Sequence, residues 1–433
     1  MTVYLLCYAA AFLAARASHD LLAGAALLFA AAVLFLGDAR GPGLPVRCRA
    51  LFSLSFVGGE GIACLKLSNL ETPWEPLTWA VLFLAYTVFW LVFELWRKNE
   101  GLRFLQSGAG RMSEIRTDRM FLAVVGITAL SWVSFLIEAR ILGYVPLFLR
   151  GVPHAYSYFH VSGLHYFTVS CVLVPSFAAV LRAADHDLSE VRRAVLFLCT
   201  AASLLIPVLC VSRYQLIFAV VTAGFTILLL RRSAVPLWAG ASAFLFLLVL
   251  YVILTAARSH SVSYLNGIFE MKRNFPIFIS QPYIYIANNY DNLNCLIRDL
   301  PGHTFGLRML FPLWALTGLK FLFPQLAAFP LYVTKTELTT VTLFYDAWYD
   351  FGTAGVVVFS ALLGALACFL ETEMRKRHSP VFCVFYAQIA VYLALAFFTT
   401  WFSNPAVWFY FAETLAVGWF VSGSRRARKK MNS

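Results

Sequence analysis

The stretch Arg192-Arg193-AVLFLCTAASLLIPVLCVS-Arg213-YQLIFAVVTAGFTILLL-Arg231-Arg232 decides the fold class. It holds two apolar runs, 194–211 and 214–230, each close to the roughly 20 residues a helix needs to cross a bilayer. Arginine pairs close the outer ends of the two runs. Between them lies the tight turn Ser212-Arg213-Tyr214-Gln215. The pattern reads as a hairpin of membrane helices, its basic ends on one side of the bilayer and Arg213 on the other.

Working outward, ten more apolar runs follow the same rule, at 3–16, 21–37, 50–67, 77–96, 120–137, 163–181, 236–256, 341–369, 380–400 and 406–422. The expectation is therefore an all-α integral membrane protein of about twelve transmembrane helices. It forms a single polytopic domain over 1–433, with outer loops at 138–162 and 257–340. The composition agrees: 61% of residues are hydrophobic and 13% charged, against about 25% charged in soluble domains. The first run lacks a basic leader and a small-residue cleavage site, so it reads as a retained helix. The nine cysteines are scattered, without a CxxC pair, a metal spacing or a disulfide framework.

Charge orients the bundle. If the helices alternate, 22 of the 34 Lys and Arg fall in linkers on one face. The excess of basic residues marks that face as cytoplasmic. Both termini are then cytoplasmic, and the net charge of +12 is topological rather than a nucleic-acid signal. The 257–340 loop is too long to be structureless and reads as amphipathic or re-entrant helices. One covers Pro282 to Leu300, where Tyr283, Ile286, Tyr290, Leu293 and Ile297 recur at helical spacing; another covers Leu307 to Phe323.

Twelve basic residues remain outside, and arginine dominates the two large loops and the turn. Topology disfavours them in short outer loops, and the planar guanidinium binds phosphate oxygens at two points. Arg213, Arg258, Arg273, Arg140, Arg150, Arg298 and Arg308 are the candidate anion ligands, with Arg213 and Arg258 ranked first. The competing account pairs such arginines with Glu138, Glu270, Asp291, Asp299 and Glu337, or leaves them on lipid head groups. Thr342, Asp346 and Asp350 are spaced to share one helix face. Asp346, Asp350, Glu337 and His160 are the candidate bases. The acids also suit the positive end of a helix dipole. His154, His160 and His165 do not stack on one face, so no metal is expected.

Three short motifs, in order, carry a resemblance. They are Gly143-Tyr-Val-Pro-Leu-Phe148 before Gly163-Leu-His-Tyr166, the Ser212-Arg213 turn, and Thr342…Tyr345…Asp350-Phe-Gly352…Gly355 after a long outer loop. Over 138–370 the chain resembles the O-antigen polymerase family, the oligosaccharide repeat-unit polymerases. The resemblance implies a GT-C-like glycosyltransferase needing no metal or other cofactor. It implies a site facing the periplasm or exterior of a bacterial inner membrane, with Tyr345 among the substrate-binding residues. Its donor and acceptor are polyprenyl-diphosphate-linked oligosaccharides. Membrane lipids and a chain-length regulator are the implied partners, and nucleic acid is not one. An O-antigen ligase shares the donor and differs in acceptor. A lipid-linked oligosaccharide flippase would instead place polar groups across the middle of several helices. Glu60, among Gly58, Gly59 and Gly61, is the one acid found there.

Overall fold

A computed structural model describes residues 1–39, 44–104, 115–149, 157–231, 262–376 and 379–422. The ninth apolar run (236–256), Arg150 and Arg258 lie outside the described residues. Among the described residues the chain is helical, with two isolated β-bridges and no strand. In chain order the helices are α1 Thr2–Arg16, α2 Asp20–Ala39, α3 Cys48–Phe52, α4 Gly58–Ala63, α5 Pro76–Phe104, α6 Thr117–Leu142, α7 Leu164–Val169 and α8 Val174–Ala184. They continue with α9 Glu190–Leu209, α10 Arg213–Arg231, α11 Val262–Phe269, α12 Ile277–Asp299, α13 Phe311–Leu316, α14 Leu319–Leu322, α15 Tyr345–Lys376, α16 Pro380–Ala394 and α17 Pro405–Val421.

Seven helical segments among the described residues are long and apolar enough to cross a membrane: Asp20–Ala39, Pro76–Lys98, Thr117–Leu142, Leu164–Ala184, Glu190–Leu209, Arg213–Arg231 and Tyr345–Lys376. The chain thus has the character of a multi-pass membrane protein. The quoted hairpin forms as expected, with α9 capped by Ser189, whose hydroxyl accepts from the Arg192 amide at 3.4 Å. Four expected spans change shape, one of them 163–181, which forms α7 and α8 around a 3-10 turn at Ser170–Leu173. The 50–67 run breaks into α3 and α4 around a π-helical turn at Ser53–Val57, and ends at Ala63. The 341–369 run becomes helical only at Tyr345, and the 380–400 run stops at Ala394. In the long loop, the helix read from Pro282 is extended backward to Ile277. The run 307–323 divides into α13 and α14, parted by Gly318.

The described residues pack as two compact units. One takes those within 1–108, 261–373 and 392–407. The other takes those within 109–260, 374–391 and 408–433. In the first, α2 and α4 meet at glycines: a Cβ on Gly61 would lie 2.9 Å from the Leu28 amide nitrogen, so any larger residue would force the helices apart. Arg49 of α3 pairs with Asp38 of α2 at 2.5 Å and with Glu94 of α5, and its guanidinium lies 4.8 Å from the Phe93 ring centroid. One arginine thereby ties three helices together, so this part of the basic face is structural as well as topological. In the second unit, the buried Glu138 of α6 accepts from the Val161 amide at 2.8 Å and the Thr168 hydroxyl at 2.7 Å, and sits 3.1 Å from His165 Nδ1. These contacts pin the start of α7 to α6.

Candidate functional site

The residues that come together lie in the first unit, at the start of α15. This helix does not run smoothly. Gly352 has φ 59° and ψ −145°, a conformation only glycine adopts without strain. A Cβ there would lie 2.8 Å from Nε2 of His303. The break frees the carbonyls of Tyr349 and Asp350 from helix bonding. Loop amides take them instead: Thr304 N–H donates to Tyr349 O at 3.4 Å, and Phe305 N–H to Asp350 O at 3.1 Å. The loop turns back through positive φ at Phe305 (52°) and Gly306 (101°).

The Asp350 carboxylate completes the wrap. It accepts from the Thr304 hydroxyl, from the Arg308 amide at 3.2 Å and from the Met309 amide at 2.7 Å. It is fully buried. A carboxylate with three donors and no access does not act as a base toward a bound hydroxyl, so Asp350 anchors the 304–309 turn and is not the expected base. Thr342 precedes the helix start, so the i, i+4, i+8 face expected for Thr342, Asp346 and Asp350 does not form.

The turn aims the Arg308 side chain at Asp346, with Nε 2.5 Å from Oδ1. Three aromatic rings surround the guanidinium, with centroids at 4.7 Å (Tyr349), 5.2 Å (Phe329) and 5.5 Å (Tyr345). Such rings favour a cation electrostatically and keep its plane fixed. The Tyr345 hydroxyl donates to Tyr332 O at 3.0 Å and accepts from the Tyr332 amide at 2.9 Å. It therefore ties the loop at Tyr332 to the start of α15. Among the described residues, Nε is the guanidinium nitrogen spent on protein oxygen.

Arg308 and Asp346 line an open cleft of about 380 Å³. Phe311, Ala327 and Phe329 form an apolar part of its lining, and Thr399, Thr400, Ser403 and Asn404 a polar part. Asp346 is the carboxylate that lines it. The polar part went unread in the sequence, although Thr399-Thr400 and Ser403-Asn404 interrupt two apolar runs. Phe329 and Tyr349 carried no signal, because aromatic residues fill this chain.

The remaining expected residues are elsewhere. Glu337, Arg140 and Arg273 are exposed. Arg298 is exposed and paired with its neighbour Asp299 at 2.8 Å, which holds that carboxyl below its ordinary range. Arg213, buried at the start of α10, and His160, exposed with its ring 6.3 Å from that of His165, belong to the second unit. Among the described candidates, Arg308, given no special rank in the sequence, is thus the arginine that the fold orients beside a carboxylate in a cleft. No protein-family model matches the chain, and no curated protein or solved structure is significantly similar to it.

Proposed function

We propose that the chain is a GT-C-like membrane glycosyltransferase of about twelve spans. In this reading it polymerises polyprenyl-diphosphate-linked oligosaccharide repeat units at the outer face of a bacterial inner membrane, with both termini cytoplasmic. The observation that carries the reading is the Arg308–Asp346 pair, held among aromatic rings and lining a cleft whose other side is hydroxyls and an amide. Aromatic faces and hydroxyl partners suit sugar rings, and a fixed guanidinium suits a diphosphate.

The step is a displacement at the donor's anomeric carbon. The bond from that carbon to the diphosphate oxygen breaks, and the lipid diphosphate leaves with the electron pair. Arg308 neutralises the developing charge through its terminal N–H groups. The acceptor sugar's hydroxyl oxygen forms the new glycosidic bond, and its proton passes to Asp346, the cleft carboxylate.

The test is the surface-glycan profile of a strain lacking the gene, complemented with the natural chain or with Arg308→Ala. A polymerase predicts loss of long chains with one repeat unit retained, restored by the natural chain alone. Loss of all attached glycan assigns a ligase instead. Accumulation of lipid-linked units on the cytoplasmic face assigns a flippase, and an unchanged profile removes all three.

A further inference from the structure

Between Arg308 and Lys335 the chain carries one charged side chain, Lys320. In an outer loop such a stretch would be expected to fold its apolar residues inward. It does not. Leu313, Leu316, Phe321, Leu322 and Phe323 are exposed, Leu322 to 74% and Phe321 to 63%. The helices α13 and α14, which carry the first four of these with Phe323 just beyond, have six and four residues, far short of the roughly 20 needed to span. The backbone turns between them at Gly318, with φ 78°.

The position of this flap says what covers it. Its C-terminal strand of loop is tied to the first two turns of α15: the Tyr345 hydroxyl bonds to both Tyr332 backbone groups, and the Tyr349 hydroxyl donates to Pro330 O at 3.3 Å. Residue 345 is also where one of the helices long and apolar enough to cross a membrane begins. A flap fastened to the end of a span lies at the lipid–water boundary. Its chemistry matches that depth, with leucine and phenylalanine outward and Lys320, whose Nζ lies 5.1 Å from the Phe321 ring centroid, able to reach back to the head groups.

We infer that residues 311–323 form an in-plane membrane element whose partner is the hydrocarbon edge of the outer leaflet. Phe311 belongs to this element and also lines the cleft, so one wall of the cleft is anchored in lipid. The inference rests on exposure and tethering and stands whether or not the chain transfers sugars.

The full chain, carrying a nitroxide on Leu322→Cys, Phe321→Cys or, as a polar reference, Glu337→Cys, is reconstituted in phosphatidylethanolamine–phosphatidylglycerol vesicles. Eight of the nine native cysteines are buried, and the labelled unsubstituted chain supplies the background. Collisions with oxygen should exceed those with a nickel chelate at 321 and 322, and the order should reverse at 337. Nickel access at 321 and 322 overturns the inference. So does dipolar broadening that disappears on dilution with unlabelled chain, because a second copy would then be the cover. Should the cysteine variants fail to insert, a diazirine phospholipid applied to the unaltered chain decides it: adducts within 311–323 support the element, and their absence there rejects it.

Discussion

Two basic residues of the first unit, Lys66 and Arg308, look alike by the usual measures and differ in what they leave over. Lys66 pairs with Asp291 at 2.7 Å, the two side chains 9% and 1% exposed; Arg308 pairs with Asp346 at 2.5 Å, at 12% and 5%. Each has an aromatic ring against its charge: Trp74 at 4.4 Å from Lys66 Nζ, Tyr349 at 4.7 Å from Arg308. Around Lys66 the contacts are with protein groups, although Asp291 Oδ2 is buried without a hydrogen-bond partner among the described residues. Trp74 Nε1 donates to the same Asp291 oxygen at 3.0 Å. Beside it, Glu71 accepts from the Tyr283 hydroxyl and the Ser68 amide. Backbone bonds from Asn69 to Glu270 and from Lys272 to Leu67 fasten the loop to the end of α11. Around Arg308, Nε is bonded to Asp346 and the residue lines a cleft. Burial and pairing therefore do not separate a cation enclosed by protein from one that lines a cleft; open space beside it does.

The largest expected effect is on the closed side. Lys66→Met leaves Asp291 buried without its cation and should cost about 3–5 kcal/mol of stability. Thermal unfolding of the purified chain in detergent measures it. The double variant Lys66→Met/Asp291→Leu removes both charges and should recover much of the loss, because an apolar pair needs no partner. A silent single variant would break the comparison.

Arg308→Lys is next, and it should act on the other quantity. An ammonium keeps the charge but loses the planar fork. Under the proposed polymerase function, polymer synthesis should fall about 10²–10³-fold, or roughly 3–4 kcal/mol of transition-state stabilisation, while the unfolding temperature barely moves. A drop in stability matching that of Lys66→Met would place Arg308 with the structural cations.

How far the sequence reaches follows from the same pair. The helices were legible because an apolar run of bilayer length has few other uses. Helix α12 was legible as a helix but not as an amphipathic one: Tyr283, Tyr290 and Leu293 are buried, and so are Asn288, Asn289, Asp291, Asn292 and Asn294. The π-turn at 53–57 was not, because nothing in Ser-Leu-Ser-Phe-Val differs from ordinary apolar helix. Asp346 and Arg308 were each visible as candidates, but their meeting depends on Gly352, whose backbone break lets a loop some forty residues upstream in sequence dock on Asp350. Spacing put Asp346 and Asp350 on one face and in one role. Tertiary contacts gave them two, one at the cleft and one under a turn.

The closed cluster also carries a pH signature. Burial, with the charge of Asp291 beside it, pushes Glu71 up to about 7 against the opposing pull of Lys66; Asp291 is raised too, mainly by burial. A carboxyl whose folded pKa exceeds its unfolded value favours the folded state at low pH. Stability from Glu71 is thus full below about pH 4.5 and is lost as pH rises through about 7. The loss should be on the order of 3 kcal/mol. Glu71→Gln should flatten this part of the unfolding-temperature profile. Loss that persists in the variant would assign it to another group.

The smallest effect sharpens the comparison most. Gly352→Ala puts a side chain on a backbone with φ 59°, at a cost of about 1–3 kcal/mol, and presses its Cβ on His303. Relief means shifting the 304–309 turn, and with it Arg308. Synthesis should fall together with stability, yet amide exchange at 67–71, around Lys66, should stay at its natural rate. His303→Ala added to Gly352→Ala removes the collision but keeps the backbone strain. If activity returns while stability stays low, the turn's position is what Gly352 secures. If neither returns, the helix break itself sets the geometry of the Arg308–Asp346 pair.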